Sequence, residues 1–161
     1  MKPEVIYWDS AAFLAHFQEE DGRVEQCEDV LERAQRGEVL IVTSALTLSE
    51  VLWMRGEARI TREGAQVVQD FFRRSFIRVV NVTRAISELA QELVWFHDIK
   101  PKDAIHVASA IHYGIATLET FDRKLLLKSG ELAGKTLSIR EPQAARQRRL
   151  KLGPPATPSI N

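Results

Sequence analysis

Val5-Ile6-Tyr7-Trp8-Asp9-Ser10-Ala11 is the stretch whose reading decides the fold. Val5-Ile6-Tyr7-Trp8 is short, β-branched or aromatic, and reads as a buried strand. Asp9 closes it, and Ser10 caps a helix over residues 11–19 that carries Phe13, Leu14 and Phe17 at helical spacing. An acid at the C-terminal end of a buried strand lies where open parallel sheets collect their ligands.

The same alternation continues outward. Val24, Cys27, Val30, Leu31 and Ala34 recur at three- and four-residue intervals before Gly37, an amphipathic helix. Residues 39–42 read as a strand, and 44–55 as a helix closed by Gly56, with Leu48, Val51 and Leu52 on one side and Glu50 on another. Thr61 and Gly64 open a helix through Val67, Val68, Phe71 and Phe72, and residues 77–82 form a third strand. Thr83 heads a helix with Ile86, Leu89, Ala90, Leu93 and Val94 inward. Pro101 then starts a helix whose small face is Ala104, Val107, Ala108 and Ile111. A fourth strand at 115–118, a helix at 121–128 and an edge strand at 136–139 complete the pattern. Strands alternating with helices predict a three-layer α/β/α fold around a mainly parallel sheet.

Four acids sit at the ends of these segments or inside them: Asp9, Glu50, Asp103 and Asp122. Carboxylates gathered at one place repel unless a cation is shared among them. Oxygen ligands without thiolate or imidazole partners suit Mg²⁺ or Mn²⁺. The pattern is that of a metal-dependent enzyme acting on phosphates. Asp-based phosphotransfer fits less well, because a phosphatase of that kind wants a second Asp where Ala11 stands. A receiver domain also wants an adjacent acidic pair before the strand carrying the acceptor, and none stands there.

Composition narrows the field. At 161 residues, one domain is the default: residues 1–140, followed by a basic, proline-containing tail at 141–161 that reads as linker-like. No apolar run approaches a membrane span, and Met1-Lys2-Pro3-Glu4 does not read as a signal peptide. Cys27 is the only cysteine, so the expectation is a chain of the reducing cytoplasm with no internal disulfide. Glu25, Glu28 and Asp29 disfavour a thiolate at Cys27. With 22 basic and 22 acidic residues the net charge is zero, so nucleic-acid contact must come from local patches. Lys100, Lys102, Arg123 and Lys124 flank the acids and suit a phosphate backbone, and Arg140, Arg146, Arg148, Arg149 and Lys151 make a basic run.

These residues resemble the PIN-domain nucleases, and among them the VapC-type toxins of prokaryotic toxin–antitoxin pairs. The likeness rests on Tyr7-Trp8-Asp9-Ser10-Ala11, Thr43-Ser44 with Leu48-Ser49-Glu50-Val51-Leu52, Lys102-Asp103-Ala104-Ile105-His106-Val107-Ala108, and Leu118-Glu119-Thr120-Phe121-Asp122, over residues 4–139. It implies RNA cleavage by a metal-activated water. It also implies Mg²⁺ or Mn²⁺ on Asp9 and Asp103, with Glu50 and Asp122 acting directly or through water. Thr120 takes the place of the family's Ser or Thr two residues before the last acid, where it would fix a carboxylate. Lys102, Arg123 and Lys124 would bind substrate. The resemblance further implies inhibition by a small antitoxin and a homodimer; a non-catalytic PIN scaffold is the alternative. His106, three residues after Asp103, reads as a partly exposed structural histidine. Phe71 and Phe72 read as core, while Trp53 and Met54 are divided between core and a partner groove.

Overall fold

The computed structural model describes residues 1–53 and 60–144. Six strands form one sheet in the order β3-β2-β1-β4-β6-β5. They are β1 (Glu4–Trp8), β2 (Val39–Ser44), β3 (Ile77–Val80), β4 (Thr117–Glu119), β5 (Gly130–Leu132) and β6 (Lys135–Arg140). All neighbouring pairs are parallel except β5 with β6. The helices are α1 (Ser10–Phe17), α2 (Val24–Gln35), α3 (Ala45–Glu50), α4 (Arg62–Phe71), α5 (Arg84–His97), α6 (Pro101–His112) and α7 (Arg123–Leu126). No helix among the described residues is long and apolar enough to cross a membrane.

Alternation along β1 sorts its side chains into two cores. Ile6 and Trp8 face α1, α2 and α4, where Phe13, Phe71 and Phe72 pack together, the Phe13 and Phe72 rings 4.8 Å apart. Tyr7 faces α5 and α6, among Ile86, Leu93, Val107 and Leu118. Strand order reverses between β1 and β4: β2 and β3 extend one way, and β4, β6 and β5 the other. That reversal opens a crevice beyond the carboxyl ends of β1 and β4. Asp9 follows β1, and Thr120 and Asp122 follow β4.

Local chemistry accounts for the helix entrances. The Thr61 hydroxyl accepts from Gly64 N, the Thr83 hydroxyl accepts from Ile86 N, and Pro101 occupies the first turn of α6. Three features differ from the sequence expectation. Asp9, rather than Ser10, is the cap residue of α1 and accepts from Ala12 N. The helix expected over 44–55 stops at Glu50, and Val51 to Trp53 form a turn. Gly56 and Met54 lie outside the described residues. The strand expected at 136–139 is not an edge: β6 lies between β4 and β5, the true edge strand. Ala133 and Gly134, both at positive φ, join β5 to β6 in a two-residue turn, a geometry that matches the twist of paired strands.

Glu119 is a buried carboxyl away from the crevice. Its Oε2 accepts from Trp8 Nε1 at 2.8 Å, and its Oε1 accepts from Arg140 Nη2 at 3.1 Å and Nε at 3.2 Å. Arg140 also reaches Glu4, so this member of the basic run is held within the fold; Arg146, Arg148, Arg149 and Lys151 lie outside the described residues. Burial raises the Glu119 carboxyl above its ordinary range, against the opposing pull of Trp8 and Arg140. Replacing Arg140 with Met strands that carboxylate. Urea unfolding of Arg140→Met at pH 7.5 should show a loss of roughly 2–3 kcal/mol, discounted for the partial exposure of Arg140. The loss should shrink as pH is lowered, because a Glu119 carboxyl that has taken up its proton no longer needs the guanidinium.

Candidate active site

Four acids from four separate elements line one cavity of about 510 Å³, together with Ser10, Leu14, Ser49, Trp53 and Lys102. Asp9 caps α1, Glu50 ends α3, Asp103 lies in the first turn of α6, and Asp122 caps α7. Chain reversals far apart in sequence thus deliver Asp9, Glu50, Asp103 and Asp122 to the same crevice. Trp53 is largely exposed at its rim, whereas Phe71 and Phe72 belong to the core.

Asp9 is the most confined of the four, only 2% exposed. Its Oδ1 accepts from Ala12 N at 3.2 Å, and its Oδ2 accepts from the Thr120 hydroxyl at 2.6 Å. Thr120 Oγ1 in turn accepts from Asp122 N at 3.0 Å, so one hydroxyl joins the ends of β1 and β4. Burial pushes the Asp9 carboxyl up to about 6; His106, Thr120 and the Ala12 amide act against the rise, and the charge of Asp103 adds to it. Asp103 is also raised, by burial first and then by the charge of Asp122, with Glu50 adding and His106 and Lys100 opposing. Asp122 Oδ1 is taken up by the amides of Lys124 and Leu125, which fixes the entrance of α7.

Glu50 has the opposite environment. Burial alone would raise it, but a hydrogen bond and charge from His106, with hydrogen bonds from Lys102 and Ser10, hold the carboxyl down at about 2. His106 Nε2 lies 2.7 Å from Glu50 Oε2, and Lys102 Nζ 3.1 Å from Oε1. His106 is 1% exposed, which corrects the expectation of a partly exposed histidine. Its other nitrogen, Nδ1, meets the Tyr7 hydroxyl at 2.8 Å. Tyr7 and Ser10 went unread as members of the site. The one available signal was the position of His106 a single turn after Asp103.

A second cavity, of about 330 Å³, adjoins the first and shares Asp103 and Asp122 with it. Its other lining residues include Lys100, Arg123, Lys124 and Lys128. Lys128 is anchored by donating to the His97 carbonyl at 2.8 Å. Lys102, by contrast, stands in the acidic cavity as the partner of Glu50. Cys27 takes no part: its thiol donates to the Ala12 carbonyl at 3.5 Å, and burial pushes it up to about 12.

Among the described residues no three His, Cys, Asp or Glu side chains are gathered tightly enough to grip one ion as they lie. Glu50 is turned to Lys102 and His106, and Asp122 to backbone amides. The chemistry of the set still suits a hard divalent cation. Every donor is a carboxylate oxygen, and among the described residues neither Asp9 nor Asp103 has a cation paired with it.

Comparison with known proteins follows the same lines. The PIN domain family matches residues 6–130. The toxin VapC20 of Mycobacterium tuberculosis, described as cleaving the sarcin–ricin loop, superposes with a TM-score of 0.61 at 20% identity, over 81% of this chain and 98% of its own. A toxin–antitoxin complex from Klebsiella pneumoniae gives 0.57 at 19% identity, over 86% and 98%. VapBC2 of Rickettsia felis, bound to a DNA fragment from its promoter, gives 0.61 at 15% identity, over 84% and 98%. At these identities the likeness carries the fold. No curated protein matches the chain.

The raised pKa of Asp9 has a definite sign for stability. A carboxyl that moves from its ordinary 3.8 to about 6 on folding binds its proton more tightly in the folded state. Its contribution is therefore full below pH 3.8 and is lost as pH rises through about 6. In EDTA at pH 7.5, Asp9→Asn should be more stable than wild type by roughly 1–3 kcal/mol. The two urea unfolding curves should converge near pH 4.

Proposed function

The chain belongs to the PIN domain family, and from that premise we propose that it is a metal-dependent endoribonuclease, the toxin of a toxin–antitoxin pair. The observation that carries this reading is the convergence of Asp9, Glu50, Asp103 and Asp122 on one cavity at the point where strand order reverses. The cleavage of an RNA loop ascribed to VapC20 supports RNA as the substrate class, and the neighbouring toxin–antitoxin complexes support a protein inhibitor. Hydrolysis of a phosphodiester bond is the reaction.

Asp9 and Asp103 would hold Mg²⁺ or Mn²⁺, with Asp122 completing the shell directly or through water. A cation held there supplies Lewis-acid chemistry, offsetting charge on the phosphodiester and making water nucleophilic at neutral pH. Thr120 holds Asp9 in one rotamer by donating to Oδ2, so the carboxylate need not reorganise when charge arrives. Glu50, ionised across the physiological range, orients water or accepts its proton at Oε1 once Lys102 moves to a phosphate. Lys100, Arg123 and Lys124 grip the backbone beside the scissile bond, in the cation-lined cavity.

The protein partner has a surface to cover. Val94, Trp95 and Phe96 on α5 are exposed, and Val94 and Trp95 border a cavity of about 580 Å³ completed by Ala90, Pro101 and Ile105. Contiguous apolar surface of this kind marks a protein interface, here with the antitoxin or with a second copy in a homodimer.

Purified protein should cleave single-stranded or looped RNA in Mn²⁺ or Mg²⁺ and stop on adding EDTA. Asp9→Asn and Asp103→Asn should each reduce cleavage by at least about a hundredfold while remaining folded. Full cleavage by either variant would end the nuclease reading, and inactivity of wild type together with no divalent-metal stabilisation would turn it to a binding scaffold. A triple Lys100→Ala/Arg123→Ala/Lys124→Ala variant should lower the slope of log affinity for RNA against log salt by about 2.

A further inference from the structure

Tyr7 and His106 form a buried hydrogen-bond relay that ends on a carboxylate in the acidic cavity. Ser44 N donates to the Tyr7 hydroxyl at 3.1 Å, the hydroxyl meets His106 Nδ1 at 2.8 Å, and Nε2 meets Glu50 Oε2 at 2.7 Å. The four residues come from the end of β2, from β1, from α6 and from the end of α3. Tyr7 is fully buried and His106 nearly so.

We propose that Tyr7 and His106 are positioning residues for Glu50, fixing which carboxylate oxygen is committed to the protein and which is offered to the reaction. The inference rests on the nuclease reading of this site. The proton placement follows from the partners. Oε2 of an ionised Glu50 can only accept, so His106 Nε2 carries a proton. In a singly protonated ring Nδ1 then accepts from the Tyr7 hydroxyl, and in a doubly protonated ring it donates to the phenol oxygen. The backbone amide of Ser44 supplies a donor to the phenol oxygen, which leaves the hydroxyl proton free to point at the ring. Each member thus selects the tautomer and orientation of the next. Oε2 is held, and Oε1 is left to Lys102 and the cavity.

Glu50 needs such support because its own element is short. α3 spans only Ala45–Glu50, and Glu50 is its last residue. α6 therefore contributes twice to the site: Asp103 in its first turn and, one turn later, the ring that steers Glu50. A histidine kept only for packing among Ala104, Val107 and Ala108 could be replaced by a leucine of similar volume, which would cost no buried polar atoms. The relay instead terminates in the cavity.

Tyr7→Phe removes one oxygen and keeps the ring. It should lower kcat for RNA cleavage by about 10- to 100-fold with KM little changed. His106→Gln retains a donor for Glu50 and should keep more activity than His106→Leu, even if the leucine variant is the more stable to urea. In a Glu50→Gln background, Tyr7→Phe should cost little further. Nitrogen-15 NMR of the metal-free protein should show an Nε2-protonated His106 ring in wild type and a shifted tautomer population in Tyr7→Phe. Wild-type kcat in Tyr7→Phe, an undiminished loss in the Glu50→Gln background, activities that track stability alone, or an Nε2 without a proton would each overturn the relay. Failure of wild type to cleave any RNA would overturn the nuclease reading instead, and the NMR result would still decide the relay.

Discussion

Asp9 is a carboxylate held almost out of solvent where β1 and β4 part, and an isolated buried charge is too costly to persist without local compensation. Much of the nearby structure answers that cost. The first turn of α1 lends an amide, and Thr120 lends a hydroxyl while tying itself to the Asp122 amide. The compensation is incomplete, because Asp103 adds repulsion and Asp9 remains at about 6. On the proposed reading, partial compensation suits a site that receives a cation. Full neutralisation by an arginine would stabilise the empty protein and close the site to anything else.

Glu50 shares the cavity yet differs from Asp9 by roughly four decades of acidity, about 2 against about 6. The cause is environment. Asp9 is the more deeply buried, with the charge of His106, two neutral donors and a neighbouring acid around it; Glu50 receives direct hydrogen bonds from His106 and the Lys102 ammonium group. Divergent surroundings for chemically equivalent groups divide labour within a site. On the proposed reading, the division leaves Asp9 and Asp103 to hold a cation and Glu50 to act as a persistently ionised acceptor.

The parts legible in the sequence share one property: each is written in a local pattern. The strand ending at Asp9 and the caps Thr61, Thr83 and Pro101 could be read from residues within one turn of each other. The alternation of strands and helices was sufficient for the sheet. The unread parts depend on tertiary neighbours. β5 is three residues long, with Glu131 at its centre, and gains strand character only by pairing with β6. α6 was read as amphipathic with one small face, but Ala104, His106, Val107, Ala108, Ser109 and Ala110 are all buried, because sheet and α5 enclose it from two sides. A single-face periodicity cannot place His106 in that setting. In sequence Tyr7 reads as one more apolar strand residue, and its hydroxyl acquires a purpose only when α6 crosses that face.

Overall neutrality hides a separation of charge that matters for a polyanionic substrate. The acidic cavity and the cation-lined cavity share Asp103 and Asp122 as a common wall. On the proposed reading, a phosphodiester strand laid across that wall meets attraction from Lys100, Arg123 and Lys124 on one side. On the other it meets repulsion that only a bound cation relieves. Substrate and cation then assist one another's binding, since each supplies charge that offsets what the other lacks. Lys102 lines the acidic cavity, paired to Glu50. A site arranged this way resists occupation by RNA alone, so the chain requires no strongly basic surface, and a composition of 22 cations against 22 acids is consistent with nuclease chemistry.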